Sequence, residues 1–408
     1  MNILQINKFF FNKGGAERYM FALTDVLKNR GHKVIPFAMA AAENLRHPME
    51  KYFVSPVITE HPQMSAEGMR TLLRFIWSRE AGVMIKKLIE ASHAEIAHCH
   101  NIYHQLSPSI LPVLQKRGVP VVMTLHDFHL VSPAYNLYAH RGRCAHAKGS
   151  KFFRVVKYRC VKNSYAASAL CAFELWLHRK LKVYERNIDC FIAPSRFMAE
   201  TIREWGFTPK RMEIIPNFVP PGTPRQFPTA PRVLYAGRLS AEKGIGILLD
   251  TISQLPDIQF AIAGIGPMEQ EVKVFAERHK NVRLLGFVAP EKMPEIFAEC
   301  SLLIIPSLAP EVFPMVILES FAHGRPVVAS RIGGIPEMVT HDKTGLLVEA
   351  GNAGEFAHAI ATLLSNQLAL QRMGQEAHTV ASQSYSPEMH YHALMHIYQS
   401  VLKGAVKK

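Results

Sequence analysis

PSLAPEVFPMVILES, residues 306–320, is the stretch from which the organisation of this chain can be worked out. An apolar, strand-like run at residues 302–305 leads into a loop that carries Glu311, and Pro314 suits the first position of a helix that contains Glu319. Two carboxylates eight residues apart thus bracket a helix N-terminus. The unpaired backbone N–H groups and the positive dipole end there favour a phosphate. We expect a carboxylate one turn further on to accept both hydroxyls of a ribose.

The helix predicted after Pro314 is apolar almost all round, so it should be buried. Glu319 then needs a partner that offsets its desolvation, and either a ligand diol or a nearby cation would serve. The alternative is a solvated surface carboxylate, which is the usual state of a lone glutamate on a helix. The apolar residues of this helix are Met315, Val316, Ile317, Leu318, Phe321 and Ala322.

The spacing of Glu311 and Glu319 resembles the E-x7-E signature of retaining glycosyltransferases of the family 4 type. Those enzymes have two Rossmann-like domains that face each other across a cleft, an arrangement called the GT-B fold. The resemblance extends over essentially the whole chain, and the second half carries its more specific motifs. It implies an α/β protein in which the first domain binds the acceptor, the second binds a nucleotide sugar, and the last helix crosses back to the first domain.

The order of predicted elements agrees with two such domains. Strands and helices alternate in both halves, which is typical of parallel sheets. Between the halves, VPPGTPRQFPTAP at residues 219–231 holds five prolines and no hydrophobic periodicity, as a linker does. We therefore predict domains at residues 1–218 and 232–385, the linker at 219–231 and a returning helix within 386–408.

Composition indicates an ordinary globular protein. Of the 408 residues, 48% are hydrophobic, which is ample for two cores. The six cysteines are scattered, which favours reduced thiols over a disulfide framework. The chain has no run of ~18 apolar residues, and its first ten residues are too short and polar for a signal peptide, so we expect a cytosolic protein.

The net charge of +14 is concentrated in part of the first half. Residues 151–186 contain nine lysines and arginines against Glu174 and Glu185. Such a patch attracts polyanions, and nucleic acid, anionic lipid headgroups and pyrophosphate-linked substrates are all eligible, as is a plain solvated face. The interleaved aromatic residues favour a membrane surface. A second basic amphipathic helix, predicted at residues 68–92, suits either a membrane surface or the core of a Rossmann-like layer.

Histidines cluster where two predicted strands end, in HCHN at residues 98–101, where the strand predicted at residues 95–100 ends, and in LHDFH at residues 125–129. Ligands bind at the carboxyl ends of parallel strands. A metal site is one reading of this cluster, but no H-E-x-x-H or H-x-x-E-H spacing occurs, so hydrogen bonding to sugar hydroxyls is favoured. The resemblance implies that His126 contacts the transferred sugar, with Asp127 as an alternative base. The histidines and aspartate concerned are His98, His100, His126, Asp127 and His129.

A cysteine-bearing loop follows at residues 141–168 and looks like an insertion present in some members of the resembled family. Those members often have C-x-x-C before a third cysteine. Here Ala147 stands where the second cysteine would fall. A zinc knuckle built on Cys144, His146 and Cys160 would therefore be incomplete, and we predict none.

Two cations in GRLSAEKG point to a diphosphate. Arg238 and Lys243 lie five residues apart around a predicted strand-to-helix turn, so both can face the cleft. A diphosphate leaving group needs such charges because its negative charge grows as the bond to the sugar breaks. No D-x-D metal motif occurs in the chain, and we predict catalysis without metal or cofactor.

The resemblance implies the remaining roles. Glu319 would bind the ribose, Glu311 would hold hydroxyls of the transferred sugar, and the glycine pair before the first helix would lie against the diphosphate and the acceptor. Weaker candidates are Gly333, Gly334 and Glu337. No residue reads as a nucleophile, and the family is described by a front-face mechanism in which the departing phosphate oxygen takes the acceptor proton. The other donor-binding residues are Gly14, Gly15, Gly264, Gly266, Phe287, Val288, Phe313, Pro314, Met315 and Val316.

These observations lead to one functional hypothesis and its rivals. We predict a retaining glycosyltransferase that moves a sugar from a UDP- or GDP-sugar to a glycan or lipid-linked acceptor in surface polysaccharide synthesis. It would associate with anionic membrane and bind no nucleic acid. A sugar-nucleotide epimerase or a phosphorylase of the same fold is the enzymatic rival, although no lysine site for pyridoxal phosphate is identifiable. A basic module that binds nucleic acid or membrane is the rival that is not an enzyme.

Overall fold

The first half of the chain forms a six-stranded parallel sheet with the order β2-β1-β3-β4-β7-β8. The structure is a computed structural model that describes residues 1–57 and 72–405. Ile3 of β1 pairs with Val34 on one side and Ile96 on the other, so the strand order reverses at β1. Ligands bind at such a point in open α/β sheets. The strands are β1 Asn2–Ile6, β2 Lys33–Phe37, β3 Ile96–Cys99, β4 Val121–Thr124, the hairpin β5 Tyr138–Ala139 and β6 Gly142–Arg143, β7 Cys190–Ala193 and β8 Met212–Ile214.

Serine caps begin three of the helices that cover this sheet. The hydroxyls of Ser78, Ser164 and Ser195 each accept the backbone N–H three residues further on. This bond satisfies one of the donors that a helix start leaves unpaired. The helices are α1 Gly15–Asn29, α2 Arg79–Ser92, α3 Ile110–Lys116, α4 Arg154–Lys157, α5 Tyr165–Lys180, α6 Val183–Asn187 and α7 Arg196–Glu204.

The basic helix predicted at residues 68–92 is shorter than expected. Residues 72–76 are helical, and α2 begins separately at Arg79 after the cap at Ser78. The beginning of the predicted helix lies outside the described residues. The sequence left open whether this helix faces a membrane surface or the core of a Rossmann-like layer. Since α2 buries Ala81, Ile85 and Leu88 completely, it faces the core.

The second half repeats this alternation in a sheet with the order β11-β10-β9-β12-β13-β14. The turn after β9 depends on Gly244, which has a φ of +75° and whose added Cβ would lie 1.8 Å from the Pro306 carbonyl oxygen. The strands are β9 Arg232–Ala236, β10 Gln259–Ala263, β11 Val282–Gly286, β12 Leu302–Ile305, β13 Val327–Ser330 and β14 Gly345–Val348. The helices are α8 Ile245–Ser253, α9 Glu269–Arg278, α10 Met293–Ala298, α11 Met315–Ala322, α12 Ile335–Met338, α13 Ala353–Ser365, α14 Gln367–Ser384 and α15 Pro387–Ala405.

The last helix, α15, returns to the first half of the chain. Its Leu394 and Tyr398 are fully buried in a core that also contains Ile3 and Tyr19. A buried hydrogen bond of 2.9 Å joins the Tyr19 hydroxyl to His390 Nε2. The predicted fold class, two Rossmann-like units with a C-terminal helix that crosses back, is therefore confirmed.

Two sequence-based expectations concern cysteines and membrane spans. All six cysteines are free and buried, as expected for reduced thiols. Over residues 1–57 and 72–405, none of the helices has the length and apolar character that crossing a bilayer requires.

Candidate functional site

Glu319 is bound by a cation from the other half of the chain. Glu319 lies on α11, and Arg18 Nη1 from α1 lies 2.8 and 3.0 Å from its two carboxylate oxygens. The sequence predicted that this glutamate would need either a diol or a cation as a partner. In the structure the cation takes that place, and the pair spans the space between the two sheets.

Glu311 is likewise paired with a cation and lies beside the first pair. Lys243 Nζ is 2.7 and 2.9 Å from the two carboxylate oxygens of Glu311, and the Ser307 hydroxyl donates to one of them at 2.6 Å. Strand β12 ends just before Ser307, and the turn after β9 carries Lys243. The two strand ends therefore bring together residues that are 68 positions apart.

Arg238 is a third cation near these two ion pairs, and its guanidinium has no partner among the described residues. In the part of the chain that the structure describes, no hydrogen bond or ion pair engages its guanidinium, and the residue is exposed. Its charge nevertheless acts on Tyr135 of the first half: burial raises the pKa of Tyr135, and Arg238 opposes that rise. Arg238 thus lies near the first half with its donors available.

The start of α11 faces the glycine pair of the first half. A Cβ built on Gly15 would have Met315 Cγ as its nearest neighbour, at 3.9 Å. Pro314 is the N-cap residue, with ψ of 111°, so the prediction that it would be the first helical residue is wrong by one position. Gly14, Gly15 and the N-terminus of α11 therefore lie across from each other, with Arg18 and Glu319 one turn further along.

Gly264 and Gly266 hold the loop after β10 against the loop after β9. A Cβ on Gly264 would come 1.8 Å from the Gly237 carbonyl oxygen, and one on Gly266 would come 2.4 Å from that of Leu239. The space is thus filled by backbone from the loop that carries Arg238. Phe287 is 63% exposed just after β11, whereas Val288 packs on the second-half core.

The weaker candidates at 333–337 serve the contact between the halves. The two Glu337 carboxylate oxygens accept the backbone N–H groups of Arg196 and Phe197 at 2.8 and 2.7 Å. These groups are the first donors of α7, so Glu337 caps a helix of the other half. Gly334 N–H donates to the Glu311 carbonyl at 2.7 Å, which fixes the loop of Glu311.

The histidines after β3 and β4 form a buried chain of hydrogen bonds. His126 Nε2 lies 3.0 Å from His100 Nδ1, and His100 Nε2 lies 2.6 Å from Gln5. His98 bonds Thr124 and Tyr398 instead, each at 2.7 Å. Burial lowers the pKa of His98 and of His126 to about 3, so both rings are neutral at physiological pH.

Asp127 lies beside an amine that the sequence analysis did not single out. Burial raises the pKa of Asp127, while His129 and Lys8 counteract the rise. Burial also lowers the pKa of Lys8, and Asp127 counteracts that fall. Both groups therefore have their charged forms destabilised by the same interior, which suits a site of proton transfer. Lys8 lies two residues after the end of β1, and its position after a strand was the signal available for it.

The three residues that were considered for a zinc knuckle lie close together in the structure. The ligand atoms of Cys144, His146 and Cys160 all lie within 4.8 Å of one another. Ala147, where a further cysteine would fall, is fully buried and supplies no ligand. That no zinc knuckle forms here stays a prediction.

Solved structures share this fold along the full chain. Sucrose-phosphate synthase from Thermosynechococcus elongatus aligns with a TM-score of 0.74 at 20% identity and covers 99% of both chains. Anabaena HepE in complex with UDP-glucose aligns with a TM-score of 0.66 at 20% identity over 98% of this chain and 100% of that one. Two facing parallel sheets with a returning helix thus make up the GT-B fold.

The chain belongs to Glycosyltransferase Family 4, whose sequence model matches residues 13–222. A further model, described as Glycosyl transferases group 1, matches residues 230–366. Among curated relatives, one component of the human phosphatidylinositol N-acetylglucosaminyltransferase is 26% identical over 357 residues, which cover 83% of this chain and 63% of that protein. The chain spans only 40% of the length of a glycosyltransferase from Methanocaldococcus jannaschii and 20% of the length of an exopolysaccharide phosphotransferase from Streptomyces coelicolor.

Proposed function

We propose that this glycosyltransferase takes its sugar from a nucleotide diphosphate sugar held on the second sheet, with retention of configuration. The observation that carries the proposal is the pair of ion pairs, Arg18–Glu319 and Lys243–Glu311, at the start of α11. Each places one carboxylate and one cation where a ribose, a diphosphate and a sugar would meet. Anabaena HepE, which has the same fold, is in complex with UDP-glucose, and this supports a nucleotide-sugar donor.

The ribose would take the place of Arg18. Glu319 is 19% exposed and meets Arg18 through both carboxylate oxygens, as it would meet two vicinal hydroxyls. Binding of a nucleotide would release Arg18 into the cleft. The same glutamate thus serves the empty and the loaded site without being left unpaired.

The diphosphate would lie between the start of α11 and the turn after β9. The first N–H groups of α11 lack intrahelical partners, Arg238 has free donors, and Lys243 is 35% exposed beside Glu311. As the bond from the sugar to the phosphate oxygen breaks, its electron pair stays on that oxygen. These fixed cations would stabilise the charge, so we expect no requirement for a divalent metal at the leaving group.

Retention would follow a front-face path. The acceptor oxygen bonds to the anomeric carbon on the face that the diphosphate leaves, and its proton passes to the departing phosphate oxygen. Glu311 is already held by Lys243 and Ser307, which suits a role in positioning sugar hydroxyls. Asp127, with a pKa raised by burial, is the alternative acceptor of the proton.

The acceptor would enter from the first half of the chain. The relatives include the human phosphatidylinositol N-acetylglucosaminyltransferase component and a Streptomyces coelicolor exopolysaccharide phosphotransferase, which supports a lipid-linked or glycan acceptor. The exposed basic and aromatic side chains of α4 and α5 provide a surface that could bring the enzyme to anionic membrane, where such acceptors are elongated.

Calorimetric titration with UDP, GDP and a single-stranded oligonucleotide tests this proposal against the basic binding module. We expect one of the two nucleotides to bind at a single site and the oligonucleotide to bind weakly, with an affinity that disappears in high salt. Tight oligonucleotide binding together with indifference to both nucleotides would reject the transferase site.

A further inference from the structure

A second group of titratable side chains lies under the acceptor side of the first sheet and takes no part in the site above. Glu174 and His178 are one turn apart on α5 and are fully buried. His104 follows β3 and His129 follows β4, and both rings point at the Glu174 carboxylate. Residues from three separate elements thus converge on one buried charge.

One of these contacts is a hydrogen bond, whereas the other two are longer than a hydrogen bond and match the spacing of metal ligands. His104 Nε2 lies 3.1 Å from one Glu174 oxygen, and His129 Nε2 and His178 Nδ1 each lie 3.6 Å from the other. Ligand atoms at ~2.0–2.1 Å from a tetrahedral zinc ion are about 3.3 Å apart. The ligand atoms of His104, His129 and Glu174 also lie within 4.8 Å of one another.

The hydrogen bond on the far side of His178 decides its tautomer. His178 Nε2 lies 3.0 Å from the Ile76 carbonyl oxygen, so this nitrogen must carry the proton. In the neutral ring, Nδ1 then presents a lone pair to a carboxylate oxygen that also has only lone pairs. A carbonyl that fixes the ring tautomer in this way is the usual outer partner of a metal-bound histidine.

Among the described residues, no hydrogen bond satisfies these facing lone pairs. Glu174 Oε1, His178 Nδ1 and both ring nitrogens of His129 are buried without a hydrogen-bond partner among residues 1–57 and 72–405.

We propose that His104, His129 and Glu174, whose ligand atoms lie within 4.8 Å of one another, bind one divalent transition-metal ion, with His178 Nδ1, 3.6 Å from the Glu174 carboxylate, as the candidate fourth ligand. Zn²⁺ suits such a set of imidazoles and a carboxylate. The ion would neutralise Glu174 and join α5 to the ends of β3 and β4. The backbone N–H of His129 donates to Asp127 at 3.0 Å, so the ion would also fix the loop of a candidate catalytic residue. Its role is structural, and it lies apart from the cations that face the leaving group.

Metal analysis of the full-length protein, prepared without a histidine tag or chelator, tests the proposal. We expect about one zinc per chain. Protein loaded with Co²⁺ should show visible ligand-field bands without thiolate charge-transfer absorption, since all four ligands are nitrogen or oxygen. Wild-type protein that is folded yet binds neither Zn²⁺ nor Co²⁺ would overturn the proposal without any variant.

Matched variants assign the ligands. Glu174→Gln and His104→Gln should weaken Co²⁺ binding at least roughly 10- to 100-fold. His104 is 18% exposed at the edge of the cluster, so its variant should fold even where a change at Glu174 does not. Cys144→Ser, which disrupts the other cluster, should leave the metal content unchanged. Loss of metal in Cys144→Ser with retention in His104→Gln would move the ion to the cysteine cluster and reject this site.

Discussion

Arg18 shows which part of the site the sequence could not supply. The apolar character of α11 indicated that Glu319 would be buried and would need a cation or a diol. The cation that answers this need lies 301 residues away on α1, and no local pattern connects the two. The same holds for Lys8, which is brought near Asp127 by the pairing of β1 with β3 and of β3 with β4.

At the level of single residues, we predict that Glu319→Ala weakens binding of the nucleotide diphosphate by roughly 10- to 100-fold, because hydrogen bonds to a charged group contribute about 1.5–3 kcal/mol each. Arg18→Ala is the matched variant. It removes the competitor for the carboxylate and should tighten nucleotide binding. Calorimetry on the two variants measures both effects. Equal affinity of Glu319→Ala and wild type would reject the ribose assignment.

Lys243→Ala should act on turnover rather than on binding. A lysine that faces the leaving group stabilises charge that develops only in the transition state, so we expect kcat to fall by roughly 10²- to 10³-fold with a small change in KM. Lys273→Ala, which removes an exposed lysine paired with Glu269 on α9, is the control. Steady-state rates decide the matter, and a rise in KM alone would show that Lys243 contributes only ground-state binding.

At the level of elements, hydrophobic runs predicted most of the fold. Strand β12 has the bounds that the apolar run at residues 302–305 suggested. The sequence did not reveal that Glu337 also caps α7, because this contact joins two elements about 140 residues apart. It also predicted one continuous helix up to Ser92, whereas the structure has a break at residues 77–78, and the cap at Ser78 has no marked change in composition around it.

The docking of α15 should make stability depend on pH. Burial lowers the pKa of His390 to about 4 and that of His98 to about 3, whereas both rings titrate near ~6.5 when unfolded. The unfolded chain therefore binds more protons between these values, and stability is lost as the pH falls from ~6.5 toward 4. Each histidine contributes a slope of about 1.4 kcal/mol per pH unit.

His390→Gln tests this dependence, because glutamine can still donate to the Pro216 carbonyl and accept from Tyr19. Urea unfolding at pH 7 and pH 5 should show a smaller loss of stability in this variant than in wild type. His358→Gln, at an exposed position on α13, should behave as wild type. An unchanged slope in His390→Gln would contradict the burial of a neutral ring.

At the level of the whole molecule, the positive charge of the segment 151–186 forms an exposed surface together with aromatic side chains. The exposed side chains of α4, α5 and the residue before α4 include Lys157 and Lys180 together with Phe153, 52% exposed, and Phe173, 42% exposed. Phe152 and Val155 of the same segment are buried in the core, so only part of the interleaved apolar residues faces solvent. The sequence indicated the composition of this surface, and the fold determines which of its residues are available.

We predict that this surface binds anionic bilayers reversibly. Each lysine or arginine near such a surface contributes about 1 kcal/mol at low salt. Wild type should sediment with anionic but not with neutral vesicles, and high salt should release it. The double variant Phe153→Ala/Phe173→Ala should bind less, while Leu368→Ala, at an 81% exposed position in the second half, should not differ from wild type. Indifference to lipid charge would point to a soluble acceptor.

The most direct test of the central claim is a screen of UDP- and GDP-sugars for thermal stabilisation and for release of the nucleotide diphosphate. We expect one donor to raise the melting temperature and to be hydrolysed slowly without an acceptor, and EDTA added to the assay to leave the rate unchanged. Glu319→Ala should lose the stabilisation. Absence of any response to the whole panel, or activity that EDTA abolishes and Mg²⁺ or Mn²⁺ restores, would contradict a metal-independent nucleotide-sugar site at the start of α11.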